Sequence, residues 1–158
     1  MAQGIPAELP SEVAFHFNAV DKLQYAVRLL RKAHAKGASL HVLAGAELAS
    51  RLDAELWQRI PGDFVPHCLD SAQLPVLRHS PIVIGPSVLD VEPPAAVLVN
   101  LSEQLPDPSR IGRYPRVIEV VSTSLQDRES ARSRWRWYVS SGVEPVRHDL
   151  AASASAAG

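Results

Sequence analysis

Two short runs of mostly apolar residues place the strongest limit on how this chain folds. They cover residues 96–101 and 116–121, and valine, leucine or isoleucine fills most of their positions. A strand with one face in water alternates apolar and polar residues, and neither run does so. Both are therefore expected to be strands of a parallel sheet that helices cover on each face.

The rest of the chain alternates between strand and helix patterns. Further strands are predicted over residues 13–17, 40–44 and 81–84, and helices over residues 21–37, 45–60 and 125–141. Asp21 is placed to cap the first helix, Gly37 to end it, and Gly142 to end the last one. This order predicts a three-layer α/β sandwich with a mainly parallel sheet.

The chain is expected to form one domain with short flanking segments. Residues 1–11, which include two prolines and a glycine, are predicted to form a flexible leader. Residues 12–150 are predicted to form the α/β domain. Residues 151–158 contain only alanine, serine and glycine, which predicts a low-complexity tail. A chain of 158 residues is of ordinary size for a single domain.

Composition narrows the classes of function. The net charge is −1 and the pI is near 6.6, so the surface as a whole lacks the positive charge that binding to a nucleic-acid phosphate backbone requires. The single cysteine, Cys68, excludes an intrachain disulfide and a multi-cysteine zinc site. No apolar run approaches the ~20 residues of a membrane-spanning helix, and no signal peptide is visible, so a cytoplasmic location is expected.

The patterns that usually carry chemistry in an α/β domain are missing. Neither G-x-G-x-x-G nor G-x-x-x-x-G-K-[ST] occurs, so no functional nucleotide-binding loop is predicted. The six histidines never take a metal-binding spacing, and His16 and His41 are read as hydrogen-bonded structural residues on strands. We therefore predict no catalytic residues, no metal and no cofactor.

The last predicted helix carries an unusual stripe of arginines. At about 100° per residue, Arg128, Arg132 and Arg136 fall at about 0°, 40° and 80° around the helix. Trp135 and Val139 share that stripe, at about −20° and 20°. The stripe has no acid, whereas an ordinary solvated face interleaves acids and bases. It favours a site for an acidic peptide with an apolar end, although three exposed arginines covering apolar surface would give the same pattern.

A second pattern joins the end of the second helix to the extended segment that follows. R-L-D-x-x-L-W occupies residues 51–57 and F-x-P-H occupies residues 64–67. Trp57 and Phe64 would lie close together across a turn. They either seal the helix against the core or form an exposed docking patch for another protein.

Together these patterns resemble the chi subunit of bacterial DNA polymerase III. The first pair of motifs is similar to that family, and so is the last helix, in which arginines and Trp135 precede Tyr138 and Gly142. The resemblance extends over residues 13–147. It implies a Rossmann-like fold without a working nucleotide site, and a non-catalytic accessory subunit of the clamp loader.

The resemblance also implies partners. Family members bind the acidic, Pro-Phe-ending C-terminal tail of single-stranded-DNA-binding protein. The matching residues are Val121, Arg128, Arg132, Trp135 and Arg136. The region around Trp57 and Phe64 would face the psi subunit or another clamp-loader component, and DNA would be engaged only indirectly.

Two other classes of function stay open at this point. One is a small α/β enzyme of nucleic-acid metabolism, a nuclease or nucleotide hydrolase, whose site carries no recognisable motif. The other is direct binding of single-stranded DNA by stacking on the tryptophans. Trp135 and Trp137 lie about 200° apart around the helix, so they do not form one stacking platform.

Overall fold

Seven parallel strands form one sheet in the computed structural model, which describes residues 8–58, 65–88 and 94–151. The strands are β1 (Glu12–Ala19), β2 (Leu40–Leu43), β3 (Cys68–Leu69), β4 (Ile82–Gly85), β5 (Val97–Asn100), β6 (Arg116–Ser122) and β7 (Val146–Asp149). Their order across the sheet is β3-β4-β2-β5-β6-β1-β7. The predicted α/β fold with a mainly parallel sheet is confirmed, and every neighbouring pair of strands is parallel.

Helices cover both faces of this sheet. They are α1 (Lys22–Ala35), α2 (Ala46–Trp57), α3 (Leu74–His79) and α4 (Leu125–Ser140). α1 and α2 pack on one face, and α4 packs on the other. The predicted caps are present. Asp21 accepts a hydrogen bond from the backbone N–H of Gln24, while Gly37 and Gly142 follow α1 and α4 with positive φ angles.

The buried sheet has two apolar layers because successive residues of a strand point to opposite faces. On β6, Ile118 and Val120 contact the core beneath α1 and α2, whereas Val117 and Val121 contact the core beneath α4. Both layers are continuous over the central strands. This explains why apolar residues of 116–121 fall on both faces of the strand and do not alternate with polar ones.

Four elements of the fold were not predicted, and one of them is a single 3-10 turn at Ile111–Arg113. β3 has two residues, α3 has no buried residue, and β7 is an edge strand whose first three side chains are exposed. None of them shows the apolar periodicity by which the other elements were recognised. Among the residues that the structure describes, no helix is long and apolar enough to cross a membrane.

The two strand histidines are structural, as predicted. His41 is 4% exposed, and its Nδ1 lies 2.6 Å from the hydroxyl of Tyr114. His16 is hydrogen-bonded through Nδ1 to the hydroxyl of Tyr25. Burial lowers the pKa of both histidines to about 4, so both are neutral near pH 7.

Candidate functional site

A groove of about 410 Å³ lies between α4 and the sheet, where β1, β6 and β7 pass beneath the helix. It is lined by Phe15, Phe17, Val121, Arg128, Ala131, Arg132, Trp135, Arg136 and Arg147. All five residues that the resemblance assigned to tail binding are in this set. The helix stripe and the end of β6 therefore form one continuous surface.

The floor of the groove is apolar and aromatic. Phe15 of β1 is 4% exposed, and its ring centroid lies 5.1 Å from that of Trp135 and 5.8 Å from that of Tyr138. Trp135 is only half-buried, so part of its ring is accessible to a ligand. Val139 was placed with Trp135 on the arginine stripe, where the two were expected to form the apolar part of the site, and this expectation was wrong for Val139. Val139 is 51% exposed and lies outside the groove, and the sheet residues supply the apolar surface instead.

Three exposed arginines of α4 stand along one side of the groove. Arg128, Arg132 and Arg136 follow each other at intervals of one turn, as the helical spacing predicted. Among the described residues that line the groove, none is acidic. A chain with a net charge of −1 thus has a strongly positive local surface.

A fourth arginine reaches the groove from another element. β7 pairs with β1 so that Arg147 lies beside Phe15, and the Arg147 guanidinium carbon lies 5.0 Å from the centroid of the Trp135 ring. This is the geometry of a cation–π contact. Sequence reasoning missed Arg147, Phe15 and Phe17 because only the pairing of β1 with β7 brings them to α4.

The start of α4 is held in place by a buried carboxylate. Asp127 Oδ2 lies 2.7 Å from the Nζ atom of Lys22 and accepts a hydrogen bond of 2.7 Å from the backbone N–H of Ser122. Burial opposes ionisation of Asp127, but these two contacts together lower its pKa. The Ser124 hydroxyl caps the helix by accepting from the N–H of Asp127. These contacts fix the helix turn that carries Arg128.

Arg134 belongs to the fold and not to the exposed surface. It lies on the opposite side of the helix from Arg132 and is 3% exposed, so it is buried under α4. Its Nε donates to Glu119 Oε1 at 2.9 Å, and its Nη1 donates to the Glu103 carbonyl and the Ser130 hydroxyl, both at 3.0 Å.

The Glu119 carboxylate accepts hydrogen bonds from three side chains where α4 packs on the sheet. Besides Arg134, the Tyr138 hydroxyl donates to Oε2 at 2.8 Å, and the side-chain amide of Asn100 donates to Oε1 at 2.9 Å. Burial raises the pKa of Glu119, while Arg134 and the two hydrogen-bond donors oppose that rise. The network ties α4 to β5 and β6 directly behind the groove.

The second predicted site is only partly within the described residues. Trp57 is 56% exposed at the end of α2, and its ring centroid lies 5.2 Å from that of His67. Asp53 of α2 contacts His67 Nε2 at 3.0 Å, so the residues of the R-L-D-x-x-L-W and F-x-P-H motifs meet. Trp57 does not seal the core, whereas Leu52 and Leu56 do. Phe64 lies outside the described residues.

Within the described residues, no three histidine, cysteine, aspartate or glutamate side chains are grouped so that they could hold a metal ion.

Solved structures resemble this one in fold. The C-terminal domain of the DEAD-box protein Dbp5 matches with a TM-score of 0.58 at 18% identity, covering 90% of this chain and 91% of that domain. S. cerevisiae Dbp5 bound to Nup159, Gle1, IP6 and ADP matches with a TM-score of 0.60 at 17% identity. That match covers 89% of this chain, which spans only 42% of the longer one.

Comparison with known sequences shows to which protein family this chain belongs. Residues 11–146 match the family model described as DNA polymerase III chi subunit, HolC. The DNA polymerase III subunit chi of Pseudomonas aeruginosa is 30% identical over 133 residues, which is 82% of this chain and 87% of that protein. The chain therefore belongs to the DNA polymerase III chi subunit family, which comprises accessory and not catalytic subunits of that polymerase.

Proposed function

We propose that the groove under α4 binds the acidic, Pro-Phe-ending C-terminal tail of single-stranded-DNA-binding protein. The observation that carries this proposal is the position of Trp135, half-buried on an aromatic floor and flanked by four arginines. Arginines attract carboxylates through charge and paired N–H donors, and the aromatic floor accepts an apolar residue. A peptide that is acidic along its length and aromatic at its end complements both parts.

Binding has two separable components in this proposal. The exposed arginines interact through water, so their contribution weakens as salt rises from low to physiological ionic strength. Contact with the half-buried Trp135, which lies beside the buried Val121 in the groove lining, removes apolar surface from water and depends little on salt. A buried anchor commonly contributes ~2 kcal/mol or more, and a charge at the rim contributes less.

The test is a titration of labelled acidic peptide ending in Pro-Phe, read by fluorescence anisotropy. Trp135→Ala is expected to weaken binding at every salt concentration, while Arg132→Ala weakens it mainly at low salt. The matched control is Arg51→Ala, which removes an exposed arginine from α2 on the opposite face of the sheet. Circular dichroism checks the fold of each variant. Equal losses from Arg132→Ala and Arg51→Ala would show diffuse attraction, and absence of binding to wild type would remove the proposal.

We further propose that the region around Trp57 faces the psi subunit or another clamp-loader component, so that the chain links the tail to the clamp loader in the cytoplasm. An exposed tryptophan beside His67 supports a docking role, since large aromatic side chains are enriched at protein interfaces. Trp57→Ala is expected to abolish co-purification of the clamp-loader partner while peptide binding in the groove persists. Retention of that partner by Trp57→Ala would contradict this assignment.

A further inference from the structure

Arg147 differs from the other arginines of the groove in how it is held. It stands on β7 and extends over the Trp135 ring, whose other neighbour is Phe15. The tryptophan is thus in contact with a phenyl ring of the sheet and a guanidinium group of the edge strand. A cation–π contact uses the charge of the guanidinium and none of its N–H hydrogen bonds, so its donors remain able to bind a ligand carboxylate.

The acids of the described residues leave Arg147 available. None of them forms an ion pair with Arg147. Asp149 stands two residues along the same strand, but its Oδ1 accepts from the side-chain amide of Asn18 at 2.9 Å and from the backbone N–H of Ala151 at 3.0 Å. The Arg147 charge is therefore not neutralised within the groove.

We propose that Arg147 is a specificity-determining residue that binds one carboxylate of the peptide beside the apolar anchor on Trp135. This inference rests on the proposed function of the groove. The carboxylate is either the terminal α-carboxylate of the peptide or an acidic side chain close to its end, because both present the same pair of oxygens to a guanidinium. Arg128, Arg132 and Arg136, one turn apart along α4, interact with the remaining acids of the peptide.

Three forms of the labelled peptide separate the two sources. One has a free terminal carboxylate, one has a terminal amide, and one keeps the free terminus but has its acidic side chains replaced by amides. Each is titrated against wild type, Arg147→Ala, Arg147→Lys, Arg132→Ala and the control Arg51→Ala. Arg147→Ala is expected to weaken binding of the unmodified peptide about tenfold, the effect of losing one hydrogen-bonded charge pair.

The diagnostic result is the disappearance of that loss when the right carboxylate is absent. The modified peptide on which Arg147→Ala has no further effect identifies the group that Arg147 binds. Arg147→Lys is expected to recover only part of the affinity, since lysine lacks the planar pair of donors.

Equal losses by Arg147→Ala on all three peptides would overturn the inference, since Arg147 would then act only through Trp135 or through its general charge. No loss on any peptide, with Arg132→Ala still impaired, would overturn it while leaving the proposed function intact. Absence of binding of any peptide to wild type would remove both.

Discussion

Arg134 and Glu119 form a charged pair that water does not reach, and breaking it tests how α4 is held on the sheet. Glu119 is 0% exposed and Arg134 is 3% exposed. Arg134→Met keeps much of the side-chain volume but removes the positive charge and three hydrogen bonds. The carboxylate of Glu119 is left buried with only Tyr138 and Asn100 as donors. Removing one partner of such a pair costs about 3–5 kcal/mol.

That cost is large compared with the whole stability of a domain, which is ~5–15 kcal/mol. With a urea dependence of about 2 kcal/mol per molar, the midpoint of unfolding is expected to fall by about 2 M. The assay is urea denaturation followed by circular dichroism at 222 nm. The control is Arg132→Met on the same helix, where the side chain is exposed and the expected change is within ~0.5 kcal/mol.

A double variant separates the effect of charge from that of packing. Glu119→Gln combined with Arg134→Met leaves no buried charge, and the glutamine oxygen still accepts from Tyr138. At least about half of the loss should therefore be recovered. An unchanged midpoint in Arg134→Met would refute the reasoning outright. A double variant as unstable as the single one would show that lost packing, and not the isolated charge, is the cause.

Three further predictions concern stability, and all are measured by thermal or urea denaturation. Burial lowers the pKa of His41 from 6.5 to about 4, so His41 takes up its proton at a higher pH in the unfolded chain than in the folded one. The free energy of unfolding is therefore expected to decrease as pH falls from about 6.5 to 4. His41→Gln should make that decrease smaller. A steeper slope in His41→Gln would contradict this. Asp127→Asn should cost about 1–3 kcal/mol through loss of the Lys22 contact, and a wild-type midpoint would exclude that role. Trp57→Ala should cost less than ~1 kcal/mol because the side chain is 56% exposed, and a loss of ~3 kcal/mol would make Trp57 a core residue.

The helices and strands with a buried face could be predicted from the sequence, because burial of one face requires apolar residues at regular spacing. The apolar residues 96–101 and 116–121 predicted central strands, and the angles around α4 predicted which arginines share a side. Edge elements show no such spacing. β7 reads Val-Arg-His-Asp, and its side chains are mostly exposed, so nothing in its composition distinguishes it from a loop.

The groove could be predicted only in part, because some of its residues come together through pairing of strands that are far apart in the sequence. Arg147 comes near Trp135 only because β7 adds to the sheet beside β1, and no local pattern encodes that neighbour. The buried role of Arg134 had one signal that was available. Glu119 interrupts an otherwise apolar strand, and a carboxylate there requires a buried cationic or hydrogen-bonding partner.

The place of β1 in the sheet has a consequence for synthesis on the ribosome. Both strands that hydrogen-bond to β1 are encoded late, β6 at Arg116–Ser122 and β7 at Val146–Asp149. Val13 and Phe15 are therefore synthesised about a hundred residues before the first of their partner strands. Such distant pairing slows folding and exposes apolar segments to aggregation. The groove under α4 is complete only when translation has passed Asp149, because β7 supplies Arg147 to its lining.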